Sequence, residues 1–465
     1  MSLAEQWNEE EMKASGKDGR TLVVGLGATG LSVAQFLVSR GEDVLVIDSR
    51  AHPPGLERLQ QTQFELPIVL ESMDVCWLKD VSRVVPSPGL GLDIPIMVEA
   101  RRLGIPIVSD IELFAQVASA PIIGVTGSNG KSTVVTLLQR VLSSAGFKTV
   151  AGGNLGPPAL ELLGVAAEAY ILELSSFQLE ITENLRPMIA AILNVSPDHL
   201  DRHGSFESYA ALKAQLGCAA ETVVFNWDDE VVREMARPHK HAIPFSVRER
   251  LDVGYSLIER QDTRWLCRDG DPFVPVDELK LRGLHNEANA LAVMALADVL
   301  TGPLAEPKLK TQLNALREFT GLPHRCQWVD ENAGVVFIND SKATNVGATV
   351  AALEGLPGSF VLIAGGRSKD ADFGPLVAVS AGKLVGAVVI GEAAEELRAL
   401  LSTITLVQTA RDMREAVTCA IELANSTELS PITVLLSPAC ASFDMFTNYQ
   451  ERGEAFIAAV KERRR

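Results

Sequence analysis

The sequence predicts an α/β protein of three strand-and-helix units in series. Apolar strands that run into glycine-rich or polar loops recur along the chain, helical stretches alternate with them, and 465 residues are too many for one hydrophobic core. The first unit opens with TLVVGLGATG (Thr21–Gly30), a strand entering glycines. A helical stretch follows, with Leu31, Ala34, Gln35 and Val38 at helical spacing, then Gly41 and a second strand, DVLVIDSR (Asp43–Arg50). Strand, helix, strand in that order suits a parallel sheet with right-handed crossovers. VSRVVPSPGL (Val81–Leu90) reads as a later strand ending in a Pro/Gly turn.

The second unit opens with PIIGVTGSNGKST (Pro121–Thr133), whose strand leads into a helix with Val134, Leu137, Leu138 and Val141 on one face and Gly146 as its stop. AYILELSS and MIAAILNVS are further buried strands, and the alternation continues to about Thr320. The third unit holds four apolar strands, in GVVFINDSKATN, FVLIAGGRSK, LVGAVVIG and ITVLLSPACASFD. Ligands of open α/β sheets sit at the carboxyl ends of strands. The loops Asp340–Asn345, Gly365–Asp370 and Ser437–Asp444 are therefore candidates for one shared site.

Composition narrows the partners. The net charge is −17, with no long basic run, so a phosphate backbone would repel the chain and nucleic-acid binding is disfavoured. No apolar segment is long enough to span a bilayer, which excludes membrane insertion. Residues 1–20 are polar and rich in Glu, without the basic start and apolar centre of a signal peptide, and read as a loose leader. The six cysteines form no CxxC pair, as expected of reduced thiols in a cytoplasmic protein.

Two glycine loops carry the chemistry. Gly127, Ser128, Asn129, Gly130, Lys131, Ser132 and Thr133 lie between a strand and a helix, the context of a phosphate loop. Glycines let backbone N–H groups curl around phosphate oxygens, and the helix start adds its positive end. Lys131 can reach the β- and γ-phosphates, and a hydroxyl of Ser132 or Thr133 can hold Mg²⁺. The GxxxxGK[ST] pattern is off register: Val125 stands where the first glycine belongs, and Gly124 is one residue early. The alternative is a glycine turn with a surface lysine. Gly25, Gly27 and Gly30 form GxGxxG after a strand, with Asp48 closing the next strand and placed to hold a ribose hydroxyl. That fingerprint suits NAD or any nucleotide diphosphate, or a tight turn that binds nothing. A dehydrogenase has no use for a phosphate loop with lysine and Mg²⁺.

GVTGSNGKST, with its off-register glycine, resembles the phosphate loop of the Mur ligase family. ELSSFQLE, NVSPDHLDRH, HNEANALA, GLPHR and NDSKATN resemble that family too, and the matching segments recur in order from Gly25 to Gly453. The resemblance implies a Rossmann-like N-terminal domain over residues 1–109, a P-loop ATPase-like central domain over 110–321 and a Rossmann-like C-terminal domain over 322–465. GLGATG with DSR, NDSKATN and SPACASFDMF resemble the branch that adds D-glutamate to UDP-N-acetylmuramoyl-L-alanine. The absence of a DNPR signature, associated with the diamino-acid-adding branch, agrees. The implied cofactors are ATP and Mg²⁺, with two ions expected, and a monomer is expected.

The resemblance also implies residue roles. Ala28, Thr29, Asp48, Ser49, Arg50, Gly89 and Asn154 would contact the UDP-sugar. Lys131 and the loop amides would serve ATP, with Asn289 and Arg325 steadying it and Asp340 at its ribose. Glu173 and His199 would hold Mg²⁺ with Ser132. Lys213, carbamylated on its amine, would join them as an anion. Lys342, Thr344, Lys369, Ser442 and Phe443 would read D-glutamate. Without the resemblance, Glu173 is a solvated strand-end carboxylate, His199 a polar loop histidine, Lys213 an exposed helix lysine, Lys369 a solvated loop lysine, and Asn289 and Arg325 junction residues. His203 and His285 read as structural. The chemistry fits the set: phosphoryl transfer to a carboxylate makes an acyl phosphate that an amine can attack, and both steps gather negative charge. Domain closure to exclude water is expected, with hinges near Ser109–Asp110 and Thr320–Leu322. Other ligases of the superfamily, a nicotinamide oxidoreductase and a non-catalytic nucleotide-binding regulator are the rival readings.

Overall fold

The structure, a computed structural model, describes residues 19–62, 66–196, 200–281, 283–302, 304–368 and 371–463. It contains three sheets in two compact units. The first unit is built from residues up to 258 with 267–272 and 289–312. The second comprises 259–266, 273–288 and 313 onward.

In the first unit, β1 (Arg20–Val24), β2 (Val44–Ile47), β3 (Ile68–Val69) and β4 (Val81–Pro86) form a sheet of order β3-β2-β1-β4, parallel throughout. Helix α1 (Ala28–Ser39) crosses from β1 to β2. The third glycine of GxGxxG is demanded by packing, because a Cβ on Gly30 would lie 1.8 Å from the Gly25 carbonyl oxygen. The larger sheet carries β5 (Ile122–Thr126), β6 (Thr149–Gly153), β7 (Ala169–Glu173), β8 (Ile189–Ile192), β9 (Thr222–Asn226), β10 (Ala242–Ser246) and β11 (Tyr255–Arg260); β12 (Thr263–Arg268) and β13 (Asp271–Pro275) follow along the chain. From β11 to β6 the order is β11-β10-β9-β8-β5-β7-β6, again parallel. β5, β7 and β8 are buried on both faces, which is why they read as continuous apolar runs.

These two sheets share one core. Val23, Leu31, Leu37 and Val46 belong to the same cluster as Phe114, Leu160, Tyr170 and Leu172. The junction between them is α2 (Asp110–Ala115), whose N-cap Ser109 accepts from Glu112 N at 2.9 Å and lies 2.6 Å from Thr182 Oγ1. Glu112 in turn accepts from Glu183 N and from Asn184 N and Nδ2. The hinge expected at Ser109–Asp110 is therefore a buried, hydrogen-bonded seam, and both residues are 2% exposed or less.

Burial pushes the Asp110 carboxyl from 3.8 up to about 6, against the lowering effect of hydrogen bonds from Gln178 and two backbone N–H groups. Native Asp110 thus keeps its proton to higher pH than the unfolded chain does. Below 3.8 its ionisation costs nothing; the cost grows toward pH 6 and is complete above, on the order of 3 kcal/mol. Asp110→Asn should accordingly raise the thermal midpoint relative to the parent by markedly more at about pH 7.5 than at about pH 4.5. An equal difference at both pH values would refute this account.

The second unit contains β14 (Gln327–Asn332), β15 (Val335–Asn339), β16 (Ser359–Gly365), β17 (Leu384–Ile390), β18 (Val407–Thr409) and β19 (Ile432–Leu436), in the order β14-β15-β19-β16-β17-β18. Only the β14–β15 pairing is antiparallel. Two apolar clusters cover its faces, and α3 (Tyr449–Glu462) contributes Phe456, Ala459 and Val460 to one of them. Thr320, at the second expected hinge, accepts a 2.9 Å hydrogen bond from Trp328 N.

Candidate active site

The loop between β5 and the helix Lys131–Ser144 has the shape that its sequence demands. Gly130 is the N-cap at φ 84°, where a Cβ would also lie 2.6 Å from Asn289 Oδ1, so Asn289 stands against the phosphate loop. The Lys131 ammonium donates to Gly127 O at 2.7 Å and Ser128 O at 2.9 Å. Lys213 reaches the same carbonyl, its Nζ donating to Gly127 O at 3.0 Å across 86 residues of sequence. It is 1% exposed and stands over the Tyr209 ring, so the surface-lysine reading of Lys213 is overturned. The Lys131 ammonium brings positive charge to the place where a polyphosphate would sit, and Lys213 meets it there from a buried helix.

Residues not singled out from the sequence hold this loop. Asn129 N donates to Asn194 Oδ1 at 2.7 Å, Asn194 Nδ2 donates to Asn129 O, and Ser128 N donates to Asn194 O. Ser128 Oγ lies 3.0 Å from the Tyr209 hydroxyl. Asn194 sits inside the NVSPDHLDRH segment, but spacing cannot show which side chain braces a loop 65 residues away.

Glu173 ends β7 and is buried, not solvated, at 2% exposure. Its Oε1 accepts from Asn154 Nδ2 at 2.9 Å, and Asn154 N donates to Glu173 O. Its Oε2 is buried and accepts no hydrogen bond from any described residue. An ionised carboxylate oxygen left so is unfavourable unless a cation meets it, and this fits a hard, oxygen-seeking Mg²⁺. The expected co-ligand His199 lies outside the described residues. Among those described, no group of three His, Cys, Asp or Glu side chains stands together.

The first glycine loop borders a cleft of about 300 Å³ lined by Gly25, Gly27, Asp48, Ser49, Arg50, Ser87 and Gly89, among others. Ala28 and Thr29 begin α1 beside it, whereas Asn154 is brought to Glu173. Asp48 accepts from Leu26 N at 2.7 Å, Arg50 N at 2.9 Å, and both arms of the Arg50 guanidinium, Nε at 2.9 Å and Nη2 at 2.7 Å. Burial opposes its charge, yet these bonds hold its pKa at about 2. Its acceptor positions are filled, so Asp48 braces the loop and aims Arg50, whose side chain stays half exposed.

In the second unit, Asp340 follows β15 and accepts from Cys326 N at 3.1 Å and Ser437 Oγ at 2.8 Å. Burial pushes its pKa up to about 6 in spite of those bonds and of Arg325 nearby, whose own side chain is exposed. The Lys342 ammonium stands 5.9 Å from the Tyr449 ring centroid, and Thr344 N donates to Lys342 O. Ser442 is buried at 2% exposure, while the neighbouring Phe443 is 61% exposed. Lys369 lies outside the described residues.

A parallel sheet whose phosphate loop gathers two lysines beside a buried carboxylate defines a phosphate-loop protein of the α/β class. The chain belongs to the Mur ligase family. The Mur ligase MurD-like N-terminal domain matches residues 19–109, the Mur ligase middle domain 125–297, and the Mur ligase glutamate ligase domain 324–440. It is 45% identical over 445 residues to the UDP-N-acetylmuramoylalanine–D-glutamate ligase of Nitrosococcus oceani, covering 95% of this chain and 96% of that one. The enzyme of the same name from Methylococcus capsulatus is 44% identical, covering 95% and 94%. Among solved structures, the UDP-N-acetylmuramate–alanine ligase of Thermotoga maritima superposes with TM-score 0.57 at 20% identity, covering 96% of this chain and all of that one. A UDP-N-acetylmuramoyl-L-alanyl-D-glutamate–2,6-diaminopimelate ligase gives 0.58 at 19%, covering 85% and 95%. These likenesses confirm the three-domain α/β fold.

Proposed function

We propose that the chain is a cytoplasmic, monomeric ATP-dependent ligase that joins D-glutamate to UDP-N-acetylmuramoyl-L-alanine through an acyl phosphate, in the synthesis of peptidoglycan precursors. The observation that carries this reading is the convergence of Lys131 and Lys213 on Gly127 O in a chain 45% identical, over nearly its whole length, to a ligase of that name. Residues 1–109 take the UDP precursor at the Gly25–Gly30 cleft with Ser49, Arg50 and Gly89, and Asp48 serves the site by holding Arg50. Residues 110–321 bind ATP at Gly127–Thr133 with Asn289. Residues 322–465 supply Arg325 and Asp340 to ATP and Lys342, Thr344, Lys369, Ser442 and Phe443 to D-glutamate.

The precursor's carboxylate attacks the γ-phosphorus, ADP leaves, and the amine of D-glutamate then displaces phosphate from the acyl carbon. Lys131 and the helix N-terminus hold the charge that gathers on the transferred group. Mg²⁺, two ions in this reading, would be held by Glu173, Ser132, His199 and a carbamylated Lys213, and would neutralise phosphate charge. The absence of a helix able to cross a membrane among the described residues supports a site of action in solution. The test is to combine the protein with Mg²⁺, ATP, UDP-N-acetylmuramoyl-L-alanine and D-glutamate. Phosphate release should accompany a precursor heavier by one glutamyl residue. Faster turnover with L-alanine or a diamino acid in place of D-glutamate would defeat the assignment.

A further inference from the structure

Arg452 is a fully buried cation that no sequence motif marks. It lies in the first turns of α3, is 1% exposed, and has no carboxylate within salt-bridge reach among the described residues. Its guanidinium instead spends its donors on three loops. Nε donates to Ser341 Oγ at 3.0 Å and Nη2 to Ser341 O at 2.8 Å; Nη1 donates to Cys440 O at 3.0 Å and, more weakly, to Gly365 O at 3.4 Å. Those loops follow β15, β16 and β19, which are neighbours at the centre of the second unit's sheet.

The loops are knitted to one another and to α3. Arg367 and Ala441 exchange backbone hydrogen bonds at 2.9 and 3.0 Å, and Ser341 Oγ donates to Tyr449 O at 2.8 Å. Burial pulls the Arg452 pKa down only to about 10, so the group is cationic at neutral pH. An unpaired buried cation is costly to retain. A planar fork with donors on three edges does what a packed apolar side chain cannot: it fixes three carbonyl-bearing loops at once, with the Asp444 carboxylate favouring its charge from nearby.

We infer that Arg452 is the positioning residue of the amino-acid site, holding the loops that carry Lys342, Thr344, Ser442 and Phe443 in one arrangement so that a dicarboxylate meets preset donors. The inference rests on the D-glutamate reading above. Arg452 touches no substrate in this scheme; it acts through the loops.

The test uses the full chain with Arg452→Met, which keeps bulk and loses donors, and Arg452→Lys, which keeps charge and loses the fork. Hydrogen exchange of peptides spanning 340–345, 365–368 and 437–444 should quicken about tenfold in Arg452→Met without substrates, with the first unit unchanged. The KM for D-glutamate should rise about tenfold while the KM values for ATP and the UDP precursor stay within about twofold, and Arg452→Lys should fall between. Unchanged exchange in the three loops, or KM values for all three substrates rising together, would overturn the inference. If the parent enzyme makes no product from D-glutamate, the functional reading fails, and loop exchange alone decides on Arg452. If Arg452→Met does not fold, Ser341→Ala removes the Nε acceptor and is judged on the same two readouts, with smaller shifts of the same sign expected.

Discussion

Lys131→Ala should lower ligase turnover by on the order of a thousandfold, the range seen when one preorganised donor to a developing oxyanion is removed. The side chain rests on Gly127 O and Ser128 O, so its ammonium is held at the loop before any nucleotide arrives. Arrival of a triphosphate replaces two neutral carbonyl acceptors with anionic oxygens, and that exchange strengthens as charge moves onto the transferred group. The loss should therefore fall mainly on kcat. Loop geometry survives in the variant, because Asn194 and Tyr209 hold Ser128 and Asn129 independently of the lysine. Phosphate release in a single-turnover experiment, with a thermal-melt control, measures it. Turnover within tenfold of the parent would mean that Lys131 does not serve phosphoryl transfer.

Glu173→Gln carries the second large effect. The substitution keeps the shape and leaves a carbonyl oxygen to accept from Asn154 Nδ2, so the fold should tolerate it. It replaces the unpartnered Oε2 with an amide and removes the negative charge. In the proposed reading a divalent cation then lacks its anionic ligand, and activity should drop by about a hundredfold or more at fixed Mg²⁺. The Mg²⁺ concentration giving half-maximal rate should rise in parallel. An unaltered Mg²⁺ dependence would place the cation elsewhere.

Much of this was legible in the sequence for a physical reason. β1, β5, β7, β8, β15, β16, β17 and β19 are buried on both faces, so their residues form unbroken apolar runs, and each ends where a polar or glycine loop must begin. Strand β6, whose sequence is TVAGG, and the short strands β3 and β18 offer no such run and were not anticipated. Lys213 looked exposed because its helix has little apolar asymmetry to say which face is buried; its partner on Gly127 is set by tertiary packing. Arg452 carries no signal in the sequence either, because only the convergence of three distant loops turns its side chain inward. Asp48 was found by its position after β2, but its engagement by Arg50 two residues on was not.

The seam at Ser109 bears on how the chain can be dissected. With Phe114, Leu160 and Tyr170 packed into the same cluster as Leu31 and Val46, cutting after residue 109 would strip apolar surface from both fragments. Each large side chain exposed in this way forfeits about 1.5–3 kcal/mol. The Gly25–Gly30 cleft and the phosphate loop should therefore melt as a single cooperative block, and a fragment ending at residue 109 should be sticky and short-lived.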